Sequence, residues 1–382
     1  MRNIFISLII TFLVSWAPDF VYSQVNNTSA NQISSSDIES WVTFLASPLL
    51  KGRMNGETGL EIAAQYIASQ AKLNGLKPAN TTSYFQPYSV MKKMRDPKTP
   101  PMLFILKNKD TIIINEPRYQ LVPTDPTFTL TEGSVVKILN NVAGYIEGSD
   151  SILKDEVIVY SCHYDHIGTS GDKVNTGADD DASGCAALLS IAKAFQSLEK
   201  KPLRSILFLW VSGEEIGLYG SASYVKNPLF PLEKTIVDLN LDMIGRDKES
   251  VDSTSDTPMT GPNSVFVITD NQSKELSEIA SEADSGSSLD FDYSLSGRSH
   301  PLQLFARSDH YNFVKKDIPV LCFTTGIHSD YHTSGDVVSK LDFNKMKLIS
   351  RTVFQIGLTI ANRETRLIVD NPFSKWGKTN KP

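Results

Sequence analysis

The residues able to do chemistry in this 382-residue sequence fall into a few short stretches. Cys162-His163-Tyr164-Asp165-His166 follows the β-branched run Val157-Ile158-Val159, and Gly177-Ala178-Asp179-Asp180-Asp181-Ala182-Ser183-Gly184 comes soon after. Glu214-Glu215 follows the apolar run 206–211, Asp242 ends a third apolar run, and His332 lies in His328-Ser329-Asp330-Tyr331-His332-Thr333. Imidazole and carboxylate groups are metal ligands. Each sits at or near the C-terminal end of a strand-like segment, where open α/β sheets bind ligands. The pattern predicts a metal site on a sheet edge.

Within that set the residues suggest different tasks. His163 and Asp165 are two apart on a strand and face one side, so Asp165 can bond the far ring nitrogen of His163 and fix its tautomer. A structural ion pair accounts for these two equally well. Asp179-Asp180-Asp181 precedes a helix, whose N-terminus relieves anion repulsion. A calcium loop would need spaced acids and a late glutamate, which are missing; a carboxylate that bridges metals suits the nearby His163 better. Glu214 and Glu215 repel one another unless a cation holds one or a proton neutralises one. A metal hydrolase needs that division of labour, one carboxylate binding metal and the other taking a proton from water. A solvated acidic turn is the plainer alternative. Asp242 and His332 complete the candidate ligands, while His166, His300, His310 and His328 read as structural or substrate-lining.

The elements that must position these groups can be read from periodicity. Ser36-Asp37-Ile38-Glu39 has the form of a capping box opening a helix through Leu45. Helical spacing over 59–73 stops at Gly75, and 84–90 reads as extended. Residues 102–106 and 111–114 predict a hairpin, and 135–139 with 142–146 predict another around Asn140-Asn141. From Glu156 onward strands (157–160, 204–211, 236–242, 265–269, 320–324) alternate with helices (182–198, 221–226, 273–283, 343–362). Such alternation predicts an α/β three-layer sandwich with a mostly parallel mixed central sheet flanked by helices.

Composition narrows the function classes. A net charge of -6 and no long Lys/Arg cluster argue against nucleic-acid or polybasic membrane binding. Met1-Arg2-Asn3, the apolar stretch 4–17 and the residues up to Ser23 read as a signal peptide over 1–23, implying a periplasmic or secreted protein. The apolar run falls short of the ~20 residues a spanning helix needs, so no stable membrane insertion is expected after cleavage. Residues 24–35 read as a disordered leader, 36–368 as one domain with a β-rich elaboration over 91–146, and 369–382 as a polar tail. The three cysteines, Cys162, Cys185 and Cys322, read as buried thiols.

In their order, His163-x-Asp165, the stretch 177–184, Glu214-Glu215, Leu241-Asp242-Met243 and His332-Thr333 resemble the co-catalytic di-zinc aminopeptidases of clan MH, of the bacterial leucyl aminopeptidase kind. That superfamily also holds glutamate carboxypeptidases and glutaminyl cyclases. Phe44-Leu45-Ala46-Ser47, Lys51-Gly52-Arg53 and residues 56–78 resemble its N-terminal helical segment. The resemblance implies a zinc exopeptidase fold and two Zn2+ ions bridged by Asp180. His163 and Asp242 would complete one metal's ligands, Glu215 and His332 the other's. Glu214 would be the general base, Asp165 would orient His163, and the Asp180-Asp181 bond would be cis. The implied activity is removal of N-terminal residues from peptides with a free N-terminus.

Two departures stand out. The tyrosine that some aminopeptidases place three residues before a matching Ser-Asp-His is Phe305 here, leaving Tyr311 or Arg307 as candidates to help hold an oxyanion. The disulfide of that loop is absent. A glutaminyl cyclase would work with one zinc, and a glutamate-type carboxypeptidase would need a basic pocket, for which Arg298 and Arg307 are the candidates. A non-catalytic binding homologue should have lost ligands or base, and none is lost.

Overall fold

A computed structural model describes residues 28–93, 102–105, 111–114, 118–123, 135–248 and 257–375. Residues 1–23, read as a signal peptide, and residues 376–382 of the tail lie outside the described residues.

The site is carried by one mixed sheet. Its strands in chain order are β1 (Lys77–Pro78), β2 (Phe85–Lys93), β3 (Arg118–Val122), β4 (Val135–Ile146), β5 (Val157–His163), β6 (Ser205–Val211), β7 (Thr235–Leu241), β8 (Ser264–Ile268), β9 (Asp290–Asp292) and β10 (Val320–Thr324). Across the sheet they run β9-β8-β10-β7-β5-β6-β4-β2-β3, with β1 beside β4. The four central strands, β10, β7, β5 and β6, are mutually parallel. Antiparallel pairing begins on both flanks, between β8 and β10 and between β6 and β4. The central strands therefore end together on one edge.

The apolar runs form strands because both of their faces are covered, as in parallel sheets generally. Along β6, Ile206, Phe208 and Trp210 enter one core with the helices α1 (Ser35–Leu45), α2 (Thr58–Leu73), α3 (Ala182–Gln196) and α7 (Phe343–Ala361). The alternate residues Leu207, Leu209 and Val211 enter a second core with α4 (Tyr219–Lys226) and α6 (His310–Val314), while α5 (Lys274–Ser285) gives Leu276 and Ile279 to the first. Period-two alternation thus makes three layers from one sheet. This is the α/β sandwich that the sequence predicts. Helix α3 reaches the edge of the sheet because Gly184 has no side chain; a Cβ there would lie 2.4 Å from the Leu241 carbonyl.

Three expectations need correction. The hairpin around Asn140-Asn141 does not form: β4 runs straight through, paired with β2 up to Val142 and with β6 from Val142 onward. Asn141 is held inside it by bonds from its amide to Gln86 and to the Gly220 carbonyl, so its polar side chain finds partners without a turn. Part of the stretch 24–35, read as a disordered leader, is packed, with Ala30 and Ile33 in the core. The first helix is capped by Ser34 rather than Ser36, through the Asp37 amide at 3.2 Å. The tail is anchored through residue 375, where the Asn371 and Ser374 amides bond Gln272 and Asp317. The hairpin of 102–105 with 111–114 is present.

Candidate metal centre

Each strand of the parallel group delivers candidates at or beyond its C-terminal end. His163 closes β5, Asp242 follows β7, Glu214 and Glu215 follow β6 after a turn at Gly213, and His332 lies in the loop after β10. Asp180 comes from the loop between β5 and α3. These groups converge. His163 Nε2 lies 3.1 Å from Asp180 Oδ1 and 3.6 Å from Asp242 Oδ1. On the other side His332 Nε2 lies 3.2 Å from Asp180 Oδ2 and 3.0 Å from Glu215 Oε2. Two ligands of one tetrahedral zinc stand about 3.3 Å apart, given bonds of ~2.0–2.1 Å. Asp180 therefore gives one oxygen to each of two donor groups.

The donors fit a cation better than they fit one another. Asp180 Oδ2 and His332 Nε2 are buried and make no hydrogen bond, despite their 3.2 Å separation. Closeness without alignment is what two ligands aimed at a common point present. Burial opposes charge on His332, yet the Glu215 and Asp180 carboxylates push its pKa up to about 10. Acidic groups in such excess demand positive charge.

Each acid of Asp179-Asp180-Asp181 has its own task. The Asp181 carboxylate caps α3 at the Gly184 amide (2.9 Å) and also takes the amides of Met243 (3.1 Å) and His163 (3.3 Å). It ties the ends of β5 and β7 to the start of α3, although its position among His163 and Asp242 would also suit a ligand. Asp179 Oδ1 accepts from the Gly245 amide at 2.6 Å. Only Asp180 is left to the donor cluster, and the Asp180-Asp181 bond is cis, as the resemblance implies.

Two residues hold the Asp180 loop from opposite sides. Arg53, fully buried, donates to the carbonyls of Leu45, Tyr164, Thr176, Gly177 and Asp180. Asp336 accepts the amides of Asp179 (2.9 Å) and Asp180 (3.1 Å), while its own carbonyl takes the Thr176 hydroxyl at 2.5 Å. A buried guanidinium facing carbonyls and a buried carboxylate facing amides leave few main-chain groups of this loop without partners.

Asp165 does more than was expected of it, and differently. Its carboxyl Oδ1 is 3.7 Å from His163 Nδ1, whereas its main-chain carbonyl is 3.1 Å away and is the nearer acceptor. The carboxylate accepts instead from Asn55 (2.6 Å) and from the amides of Glu214 and Glu215, both at 3.2 Å. It sets the turn that presents both glutamates. Glu215 reaches His332 and His166, while Glu214 lines the cavity. Burial pushes the Glu214 pKa well above the ordinary carboxylate value, with His163 opposing and Glu215 reinforcing the rise.

The cavity beside these groups, about 60 Å³, is lined by Glu214, Met243, Ile268, Leu304, Arg307 and Tyr331 among others. Larger depressions of about 620 and 500 Å³ lie elsewhere on the surface and contain no imidazole. Of the two oxyanion candidates read from sequence, Arg307 lines the cavity, but Tyr311 does not; its ring packs on Phe305 and Phe373. Tyr331, which sequence reasoning passed over, lines the cavity and stacks on His332 with ring centroids 3.8 Å apart. Its adjacency to a ligand candidate was the available signal. Arg298 pairs with Asp270, away from the centre. His300 is not among the converging groups, and His310 bonds the Phe305 carbonyl at 2.9 Å. His328 lies 3.3 Å from Asp179. His166 is the exception among these histidines, because it enters the cluster.

Known proteins share these features in part. A vacuolar membrane protease of Verticillium alfalfae is 34% identical over 82 residues, 22% of this chain and 8% of the relative's length. The chain thus matches only a small part of that relative. The aminopeptidase of Aneurinibacillus sp. strain AM-1 superposes with a TM-score of 0.62 at 18% identity, covering 91% of this chain and 98% of that one. A zinc aminopeptidase from Bacillus subtilis superposes with a TM-score of 0.59 at 15% identity, covering 89% and 99%. At these identities the likeness establishes the fold, a three-layer zinc exopeptidase sandwich. Residues 141–357 match peptidase family M28. That stretch is more than half of the chain and runs from the strand before His163 to beyond His332, so this protein is a member of peptidase family M28, a family of zinc-dependent peptidases.

Proposed function

We propose that the protein is a di-zinc aminopeptidase acting on peptides with a free N-terminus. The observation that carries this reading is the division of Asp180, one oxygen with His163 and Asp242, the other with Glu215 and His332. Zinc bound by these two sets supplies a Lewis acid that acidifies water and polarises a carbonyl. Glu214, beside the cluster and raised in pKa by burial, takes the proton from the attacking water and returns it to the departing amine. Tyr331 and Arg307 both line the cavity, which supports them as donors to a developing oxyanion. Asp180, Glu214 and Asp242 make the inner wall acidic, which favours a protonated α-amine over a free carboxylate. The cavity's Met243, Ile268 and Leu304 favour an apolar side chain next to it.

A peptide panel tests the reading: free, N-acetylated and C-amidated forms, with an N-terminal glutamine peptide followed by mass. Loss of cleavage on N-acetylation alone is expected. Cleavage that survives N-acetylation but fails on amidation would make this a glutamate-type carboxypeptidase with Arg307 as its carboxylate receptor. Ammonia loss without cleavage would make it a glutaminyl cyclase.

We also propose export with removal of residues 1–23. Among the described residues no helix is long and apolar enough to cross a membrane. N-terminal sequencing of protein recovered outside the cytoplasm checks this, and a retained Met1 would refute it.

A further inference from the structure

His166 is not needed by the ligand set above, yet it is built into it. Its ring is fully buried, and its amide bonds the Arg53 carbonyl at 3.2 Å, pairing it with Met54 in an isolated bridge. Nδ1 lies 2.8 Å from Glu215 Oε1 and 3.7 Å from Asp180 Oδ2. The ring meets that of His332 edge-on, centroids 5.7 Å apart. Room for it depends on Gly177, where a Cβ would come within 2.7 Å of the imidazole.

Glu215 therefore has different company on its two oxygens. Oε2 faces His332 at 3.0 Å, and Oε1 faces His166 at 2.8 Å. The second distance is that of a hydrogen bond to a carboxylate. His166, Asp180 and Glu215 lie close enough to share an ion, but the 2.8 Å from Nδ1 to Glu215 is shorter than the ~3.3 Å edge between two ligands of one zinc and matches a hydrogen bond, so Nδ1 is better placed to bond Glu215 than to bind the metal. We infer that His166 is a positioning residue for the second metal: its Nδ1–H occupies Glu215 Oε1 and leaves Oε2 alone to face the ion. This rests on the two-metal reading. With Oε1 engaged, the carboxylate cannot rotate to offer both oxygens or turn toward Glu214. Groups that orient a metal-binding carboxylate in this way are worth about 10–100-fold in metal affinity.

The test compares His166→Asn, whose amide places an N–H near the Nδ1 position, with His166→Leu, which has no donor. Zinc dissociation constants are measured for both sites by chelator competition on the full chain. Leucine is expected to raise Kd of the site holding Glu215 and His332 about 10–100-fold while leaving the site holding His163 and Asp242 within twofold, and asparagine to recover most of the loss. Unchanged affinity in the leucine variant overturns the inference. So does an asparagine variant as weak as leucine, which would make the nitrogen lone pair a ligand. Should the leucine variant not fold, His166→Gln replaces it; its longer side chain carries the N–H past the Nδ1 position, so glutamine must bind more weakly than asparagine. A wild-type protein that holds one zinc would fail the two-metal reading instead, a result distinct from wild type holding two with variants unaffected.

Discussion

The two halves of the donor cluster use similar chemistry on different supports. His163 is the last residue of a central strand, 1% exposed, and its partner Asp242 follows the neighbouring strand directly. The amides around them are collected by Asp181, and the loop of Asp180 is gripped by Arg53. Glu215 and His332 instead come from a turn and a loop, His332 with a positive φ of 58° and 35% exposed. Main-chain bonds to neighbouring strands hold the first half. The second relies on side-chain bonds from His166 and Asp165 and on the loop that Asp336 fastens. Ligands on strands hold their geometry better than ligands on loops, and loops open at lower free energy. The comparison predicts unequal metal sites.

The largest effect should come from removing what the halves share. Asp180→Asn leaves one good ligand oxygen where two were needed, so zinc content should fall at both sites and peptide cleavage should drop below detection. Retention of two tightly held zincs by elemental analysis would contradict the bridging role.

Glu214→Gln touches neither half. Turnover should fall about 10²–10⁴-fold, the usual worth of a positioned base, while both zincs stay bound. Near-normal kcat would remove Glu214 from the mechanism. Glu215→Gln, by contrast, should lose metal first, which separates the adjacent glutamates.

Unequal support is tested directly by graded chelation. Zinc should leave in two steps, and His332→Ala should abolish the easier step while sparing the harder one; His163→Ala should do the reverse. Simultaneous loss of both ions at one chelator concentration would erase the distinction between the halves.

A smaller effect is expected where the halves are joined. Asp336→Asn keeps the shape but turns an acceptor of two amides into a poorer one, costing about 1–3 kcal/mol in denaturant unfolding. Its pKa is pushed up to about 6, by burial first and then by Asp179. A raised carboxyl favours the folded state when protonated. The ionised Asp336 therefore weakens stability as pH rises from the unfolded value near 3.8 through about 6, and the asparagine variant should lack that part of the slope. An unchanged slope would show that Asp336 does not titrate there.

Tyr331→Phe should have the least effect, a fall in kcat near 10-fold with KM and zinc content little changed. A rise in KM alone would make the hydroxyl a binding group rather than an oxyanion donor.

The candidate ligands and the strands that carry them were legible because both signals are local. A short, β-branched, unbroken run such as Val157-Ile158-Val159 favours a strand covered on both faces, and a polar group ending such a strand sits at the sheet edge. For the same reason local pattern failed at Asn140-Asn141: a pair that resembles a turn became the middle of a strand once Gln86 and Gly220 offered bonds. The division of Asp179-Asp180-Asp181 into three tasks was not legible, since identical side chains differ only in which amides surround them. Nor were the roles of Arg53, Asp336 and His166. Arg53 meets Tyr164 and Thr176 across 111 and 123 residues, and Asp336 meets Asp179 across 157. By itself, the sequence determined which groups could bind zinc and which strand ends would present them, because period and residue type act over a few neighbours. Only the tertiary structure decided which of those groups converge in the donor cluster and which face main-chain amides. That choice depends on hydrogen-bond partners supplied by distant segments, brought within reach when the sheet and its loops close around the site.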